Sequence, residues 1–414
     1  MSPIWENFAN ASVNGWRSTV KGVTYFLARV QMATRGTSQP SIAGTAANLT
    51  SSYYGFQMSY GKYIHQFSQA GLFVNSVEII NSGSNGIGTI AGNNSILSSG
   101  SNTAQRFWTI PNYYATPVTQ RNNGTANCYY TRVDTSNNVY YAGYGGANVN
   151  LVKFNSAGTL QWQKATSVST GAGAVDTLGN SFASSTGTNP TVHKIDTTGA
   201  YVWGSRCTNF TTATLSFVEA DGTGGAFLAS NVSSGIAGIA RVDSAGNGSW
   251  GRQVTVSSVV QNGLAYGPDG SIYWLLSDSS GNNAYIVKFN SSGTVLWQRG
   301  ITGSTVITAG GNGYTGVPMH VDADAIYLAM PVPGGNGAWE HTYCFKYPVD
   351  GSVTGSWNLG AGTVNIGASS ITINSFTPSV AANTSSVGSS TGDGSTTYAI
   401  NLYTTNSQTI VKVP

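Results

Sequence analysis

One segment returns in nearly the same letters, and that repetition constrains this chain more than any other feature. LVKFNSAGTLQWQK at 151–164 and IVKFNSSGTVLWQR at 286–299 are close copies, with looser ones at 192–206, 239–252 and 344–357. Trp162, Trp203, Trp250, Trp297 and Trp357 close these copies, about 40 to 60 residues apart. A recurrence of that size marks a supersecondary unit stacked on copies of itself, because one such unit cannot bury its apolar face alone.

Each copy has an upstream partner in which an Asp and a turn precede an aromatic residue. Examples are VDTSNNVYYAG at 133–143, VDTLGNSFASS at 175–185 and GPDGSIYWLLS at 267–277. The two halves together describe four strands. The first ends at the Asp, and the second carries Tyr140, Phe182, Phe227, Tyr273 or Tyr327. The third carries a basic residue and the fourth the Trp. The period-two alternation of V-K-F and L-Q-W-Q suits half-buried strands, and Gly, Asn and Ser suit the hairpin turns between them.

Aligned third strands give Gln66, Arg106, Lys153, Lys194, Arg241, Lys288, Lys346 and Lys412. The expected fold is therefore all-β: a closed β-propeller of four-stranded antiparallel blades, with eight blades favoured and seven as the alternative count. Phe73 is read as standing in for Trp in the first unit. The last unit lacks a fourth strand, and the spare strand-like segment at 19–31 is expected to close the ring against 396–414. Residues 1–18 then form an N-terminal attachment segment, 19–414 the propeller, and the repeats run from about 45 to 414.

Composition agrees with many short strands and tight turns. There are 53 Gly and 12 Pro in 414 residues, and only 8% of residues are charged. A hydrophobic share of 40% and an aromatic share of 11% argue for an ordered chain, because disordered chains lack aromatics. The net charge is +3 and the basic residues stand singly, so nucleic acid is not an expected partner. No stretch reaches the length of a membrane span, and MSPIWENFANASVNGW does not read as a secretory signal; folding in a host cytoplasm is expected. Cys128, Cys207 and Cys344 are distant and odd in number, which suggests buried small side chains rather than a disulfide or metal framework.

The segments VKFNSSGTVLWQR and VKFNSAGTLQWQK resemble the blade motif of quinoprotein-like propellers, where an Asp/Asn-x-x-x-Gly turn precedes a Trp. The upstream half resembles related bacterial propeller repeats, and similar repeats occur in structural proteins of tailed phages. The resemblance spans roughly 85–390. In the cofactor-binding quinoproteins it implies a disulfide between neighbouring cysteines and a calcium site near a catalytic Asp. This chain has no adjacent cysteines and no acid cluster, so neither the dehydrogenase activity nor a cofactor is expected.

Other motifs carry little chemistry. The G-x-S-x-G match at 388–392 has no His after it, and the G-x-G-x-x-G match at 311–316 precedes a strand copy rather than a helix. Asp134, Asp176, Asp221, Asp269, Asp322 and Asp393 recur once per unit and read as Asx turns. His65 and His193 share a place in the repeat, while His320 lies near Asp322 and Asp324 without a metal-ligand spacing; no metal site is expected. Lys153, Lys194, Arg241, Lys288 and Lys346 form a recurring cation column. They suit either inter-blade hydrogen bonds or an anion or acidic-glycan site on the axis. Trp339, in a long insertion, could stack on a sugar ring or meet another subunit.

These features point away from catalysis. The expected function is that of a non-catalytic virion structural protein of a tailed phage, in the tail or on the surface, with host recognition as a further role. Its partners are then other virion proteins in a symmetric assembly and host-surface glycans, and its final location is the virion. The alternative is a bacterial carbohydrate-binding propeller. Frequent Tyr, 22 residues, suits adaptable binding surfaces in either case.

Overall fold

The computed structural model places strands between Glu6 and Thr404 and describes side chains for most of residues 132–383; the longer omissions are 141–150, 165–172, 304–318 and 329–344. The fold is an all-β propeller. Five successive sheets carry the repeat and are called blades I to V. Blade I begins with Asn127–Val133, Val139–Gly145, Asn148–Phe154 and Leu160–Thr166. Blade II repeats this with Thr170–Val175, Ser181–Ser185, Thr191–Ile195 and Tyr201–Cys207. Blade III spans 217–254, blade IV 259–303, and blade V takes its first three strands from 319–348. The first strands of blades I to V lie side by side in sequence order.

The fourth strand of blades I to IV carries a β-bulge at the same place. Lys153, Lys194, Arg241 and Lys288 pair with Trp162, Trp203, Trp250 and Trp297, and the register shifts at the next residue. One residue in each bulge, Gln161, Val202, Ser249 or Leu296, is left out of the pairing and exposed. A bulge re-aims the side chain beside it, here the indole. It also accounts for two exposed apolar side chains, Val202 and Leu296.

The expectation of a closed ring of eight four-stranded blades, with seven as the alternative count, is corrected to five regular blades. The described strands form seven sheets of four to six strands, and five of these are the regular blades. The two others are built from 85–122 and from 47–79 with Leu402–Thr404. The expected eighth unit fails because the described strand of 396–414, Leu402–Thr404, is an edge strand on Phe73–Ile79. Lys412 and Asp393 lie outside the described residues. Phe73 is not the counterpart of Trp: it pairs with Phe67, and register puts Asn75 opposite Gln66, in the indole's place.

The closing segment also has another partner. Val23–Gly36 pairs with Trp339–Pro348 and so supplies the fourth strand of blade V, whereas Leu402–Thr404 pairs with Phe73–Ile79. The expected strand 19–31 crosses a hairpin, because Val13–Val20 pairs back on Val23–Gly36 and Glu6–Asn10 continues the same sheet. Phe26, not Trp357, therefore stands opposite Lys346. Trp357 lies on Gly355–Asn358, the outermost strand of the blade IV sheet.

The extra strands belong to a belt. After blade V the chain turns back and adds short strands to blades IV, III, II and I in that order, two on blade IV and one on each of the others. Thr363–Ala368 pairs with the fourth strand of blade IV, Ile373–Phe376 with that of blade III, Val380–Ala382 with that of blade II, and Val387–Ser389 with that of blade I. Each strand covers a row of backbone N–H and C=O groups that would otherwise stand open at the rim. Side chains tie the belt down as well. Phe376 meets Phe210 edge-on at 6.0 Å and lies over Gly251, where a Cβ would come within 2.6 Å of the Phe376 ring. Tyr201 Oη donates to the carbonyl of Asn383 at 3.0 Å.

Because Phe376 is the belt's main apolar anchor on blade III, Phe376→Ala is expected to lower global stability by about 2 kcal/mol, a half-buried ring losing less than a fully buried one. The midpoint of guanidinium unfolding, compared with wild type at equal m-value, checks this.

Candidate functional site

The recurring polar columns meet at the seams between blades. In blade I the ring of Tyr140 stands 6.1 Å from that of Trp162, nearly edge-on, and Lys153 Nζ sits 5.1 Å over the Tyr140 ring. The Trp162 Nε1–H donates to the Thr197 carbonyl of blade II at 3.1 Å. The same bond recurs from Trp203 to Ser244, from Trp250 to Ser291 and from Trp297 to Val349, at 2.9, 2.9 and 3.0 Å. Thr197, Ser244 and Ser291 lie in the turn that joins the third and fourth strands of the next blade, and Val349 in the turn that follows the third strand of blade V. The glycines of those turns, Gly199, Gly246, Gly293 and Gly351, have positive φ and lie against the previous blade's indole. At Gly293 a Cβ would come 2.5 Å from Trp250. Glycine is thus required twice over, by the backbone and by the contact.

The cations use the same seams. Lys153 Nζ donates to the Thr197 carbonyl at 3.2 Å and Lys194 Nζ to the Gly224 carbonyl at 2.7 Å, in both cases one blade on. Arg241 pairs with Asp221 of its own blade at 2.7 Å and reaches the Ser291 carbonyl of the next. Lys288 pairs with Asp269 at 2.8 Å and donates to the Val349 carbonyl at 3.3 Å. Lys346 is buried over the Tyr327 ring at 6.0 Å, and its ammonium is lowered to about 8 by burial, which Asp322 and Asp324 oppose. Lys153, Lys194, Arg241 and Lys288 therefore hold blades together. The side chain of Trp339 falls outside the described set; its backbone pairs with Pro333 and Gly36.

The recurring acids are Asx turns at Asp134, Asp176, Asp221 and Asp322, each accepting backbone N–H bonds on Oδ1 from the residues that follow. Blade IV varies the device. Gly267 occupies the turn's first position, and the carboxylate of Asp269 fills the space its side chain would take, 2.8 Å from the site of a Cβ. Asp221 is buried, which disfavours its charge, yet the Arg241 pair and the turn N–H groups hold it below the ordinary carboxylate range. Cys207 is buried and free, its thiol pushed up to about 12 by burial. Among the described residues no group of His, Cys, Asp and Glu is arranged to hold a metal.

A further column was missed in the sequence. Two residues before each turn position stand Arg132, Ala174, Glu219, Ala265 and His320, each directly across from its blade's second-strand aromatic. Register puts Gly86 and Ala47 at this level in the two other sheets. Three titratable side chains thus stand among small residues. Arg132 of blade I meets Glu219 of blade III, Nη2 to Oε2, at 3.8 Å. Blade II lies between these two blades, so the contact bridges blades that are not neighbours. Burial raises Glu219 to about 7, with Arg132 and the Ala220 N–H opposing the rise. Burial lowers His320 to about 4; Asp322 opposes that shift and Arg132 adds to it.

No protein-family model matches the chain, and no curated protein sequence matches it. Solved structures do. A catalytically inactive virginiamycin B lyase from Staphylococcus aureus, crystallised with quinupristin, superposes with a TM-score of 0.52 at 9% identity, covering 78% of this chain and 99% of that one. The β-propeller domain of Cps50 (Swd1) from Myceliophteria thermophila gives 0.48 at 10% identity over 76% and 98%. BamB from Moraxella catarrhalis gives 0.39 at 12% over 83% and 100%. At such identities the likeness concerns architecture only.

Trp250→Phe removes one inter-blade hydrogen bond while keeping an aromatic ring, and is expected to cost about 1 to 2 kcal/mol in equilibrium unfolding. A pH prediction comes from His193, which is buried with both ring nitrogens unpartnered and is lowered to about 4 by burial. Below pH 6.5 the unfolded chain takes up a proton that the folded chain refuses until about 4, so stability falls as pH drops through that window, by roughly 3 kcal/mol in total. In His193→Gln that component vanishes, and the stability difference between variant and wild type is expected to be flat above pH 6.5 and to shift in favour of the variant below it.

Proposed function

We propose that this chain is a non-catalytic structural protein that presents a rigid surface to its partners, and that its setting is the virion of a tailed phage. The observation that carries the reading is the belt, with the seams beneath it. The repeated indoles and four of the repeated cations join one blade to the next, and the rim of four blades is sealed by a second pass of the same chain. Such a body resists fraying and edge-to-edge pairing, which suits a protein held at high local concentration in a particle and exposed to the outside. The low charge and abundant Tyr support an outward-facing role. Other virion proteins in a symmetric arrangement, and host-surface glycans, are the proposed partners.

Quantitative mass spectrometry of purified native particles tests this: the chain is expected at a fixed, multiple copy number per particle. Recovery only as a free monomer that is retained on glycan arrays would reject the virion setting in favour of a carbohydrate-binding propeller.

A further inference from the structure

We infer that the belted rim of blades I to IV is a binding track for an acidic polysaccharide, held by Lys164, Arg206, Arg252 and Arg299. The inference rests on the glycan-recognition part of the reading above and needs no virion setting.

The four cations follow one line. Each is on the fourth strand of its blade and stands directly opposite a belt residue: Lys164 opposite Ser389, Arg206 opposite Ala381, Arg252 opposite Ser375 and Arg299 opposite Ala368. Blades I to IV are neighbours in that order, so the line tracks the rim. Lys164, Arg252 and Arg299 are half-buried and Arg206 is exposed. None of the four pairs with an acid, whereas the seam cations Arg241 and Lys288 do, at 2.7 and 2.8 Å. The belt supplies no counter-charge either, because no charged residue stands between Asp350 and Asp393.

Seam packing does not account for the row. Lys164, Arg252 and Arg299 follow the indole by two residues, and Arg299 Nε donates to the Gly351 carbonyl of blade V at 2.8 Å. In blade II that position is Ser205, whose hydroxyl makes the equivalent bond to Gly246 at 2.6 Å. A serine thus suffices at the seam, yet blade II keeps a rim cation one residue further on, at Arg206. Arg252 lies 5.5 Å from the Trp250 ring centre and Arg299 6.0 Å from that of Trp297. Each gives Nη1 to the carbonyl of the preceding residue, Gly251 at 2.7 Å and Gln298 at 2.9 Å. These contacts fix the guanidinium planes and leave their Nη2 donors for a ligand.

Charge spacing selects the ligand. Blades splay outward, so neighbouring rim positions are separated by at least the roughly 10 Å of packed sheets. A nucleic acid carries a phosphate every ~3.4 Å along each strand and would leave most of them unmatched. A membrane is flat and meets a convex rim at one or two blades only. A flexible glycan with acids on alternate sugars follows the curve and offers an acid to each blade. Guanidinium forks match the oxygens of carboxylates and sulfates alike. The exposed belt side chains Asn365, Asn374, Ser375 and Thr377 add neutral hydrogen-bonding groups for sugar hydroxyls.

Surface plasmon resonance of the full chain over immobilised hyaluronate, alginate and heparin, with dextran as the neutral control, tests this at several salt concentrations. At least one acidic polysaccharide is expected to bind, dextran is not, and affinity is expected to fall as salt rises. Binding to hyaluronate or alginate alone assigns carboxylates, and to heparin alone sulfates; either result supports the inference. Lys164→Gln combined with Arg206→Gln is expected to weaken binding about tenfold or more and to reduce the log–log salt slope by about one. Neither side chain has a hydrogen bond to lose among the described residues, so the melting temperature should match wild type. Arg252→Gln with Arg299→Gln should weaken binding further, and the Lys164 and Arg206 pair carries the decision if that variant unfolds. Binding to none of the three polysaccharides, or unchanged binding in the Lys164→Gln, Arg206→Gln variant, overturns the inference. Capture by immobilised oligo(dT) or by phosphatidylserine vesicles, with no polysaccharide bound, overturns it as well. Copy number per particle does not enter this measurement, so the rim site and the virion setting fail separately.

Discussion

One hydrogen bond organises the molecule: the indole N–H of one blade donated to a turn carbonyl of the next. It is made four times with nearly constant length. A single bond of this kind contributes about 1 kcal/mol, but its geometry dictates everything around it. The indole must point sideways out of its sheet, so a bulge precedes it. The accepting turn must approach a flat aromatic face closely, so its glycine carries no Cβ. The ring must not tilt, so an aromatic from the second strand and a cation from the third brace it. The repeated letters of the sequence record these demands, and a propeller is the way to satisfy them in series.

This explains which parts of the fold were legible. Trp162, Trp203, Trp250 and Trp297, with their Lys or Arg partners and turn Asp residues, were readable because each unit states its own needs within about 40 residues. Trp357 misled because the fourth strand of blade V is supplied by Val23–Gly36, which no local pattern announces. The belt was invisible for a related reason. Its strands are short, with only three residues in Val380–Ala382 and in Val387–Ser389, too few for a period of two to emerge, and their role is set by edges far away in sequence. The axial column could have been found, since it lies two positions before each turn residue. It was overlooked because a column alternating Arg, Ala, Glu, Ala and His does not repeat in chemistry, only in place.

Partnering separates architecture from candidate function. At the seams, the basic residues first suspected of binding an anion hold neighbouring blades. On the rim, Lys164, Arg206, Arg252 and Arg299 recur once per blade with no acid to match them. A charge that recurs without its counter-charge is where a repeated scaffold has room to meet a partner.

The retrograde belt has a consequence for how the chain comes into being. Translation delivers blades I to IV with bare rims, and delivers their edge strands afterwards in the opposite order. The first blade made is thus the last of the four to be finished. Its outer edge has to wait while more than two hundred further residues emerge, and nascent chains on neighbouring ribosomes present the same open edge during that interval. Synthesis therefore includes a lacing step, in which blades already made are tied off from the most recent back toward the oldest.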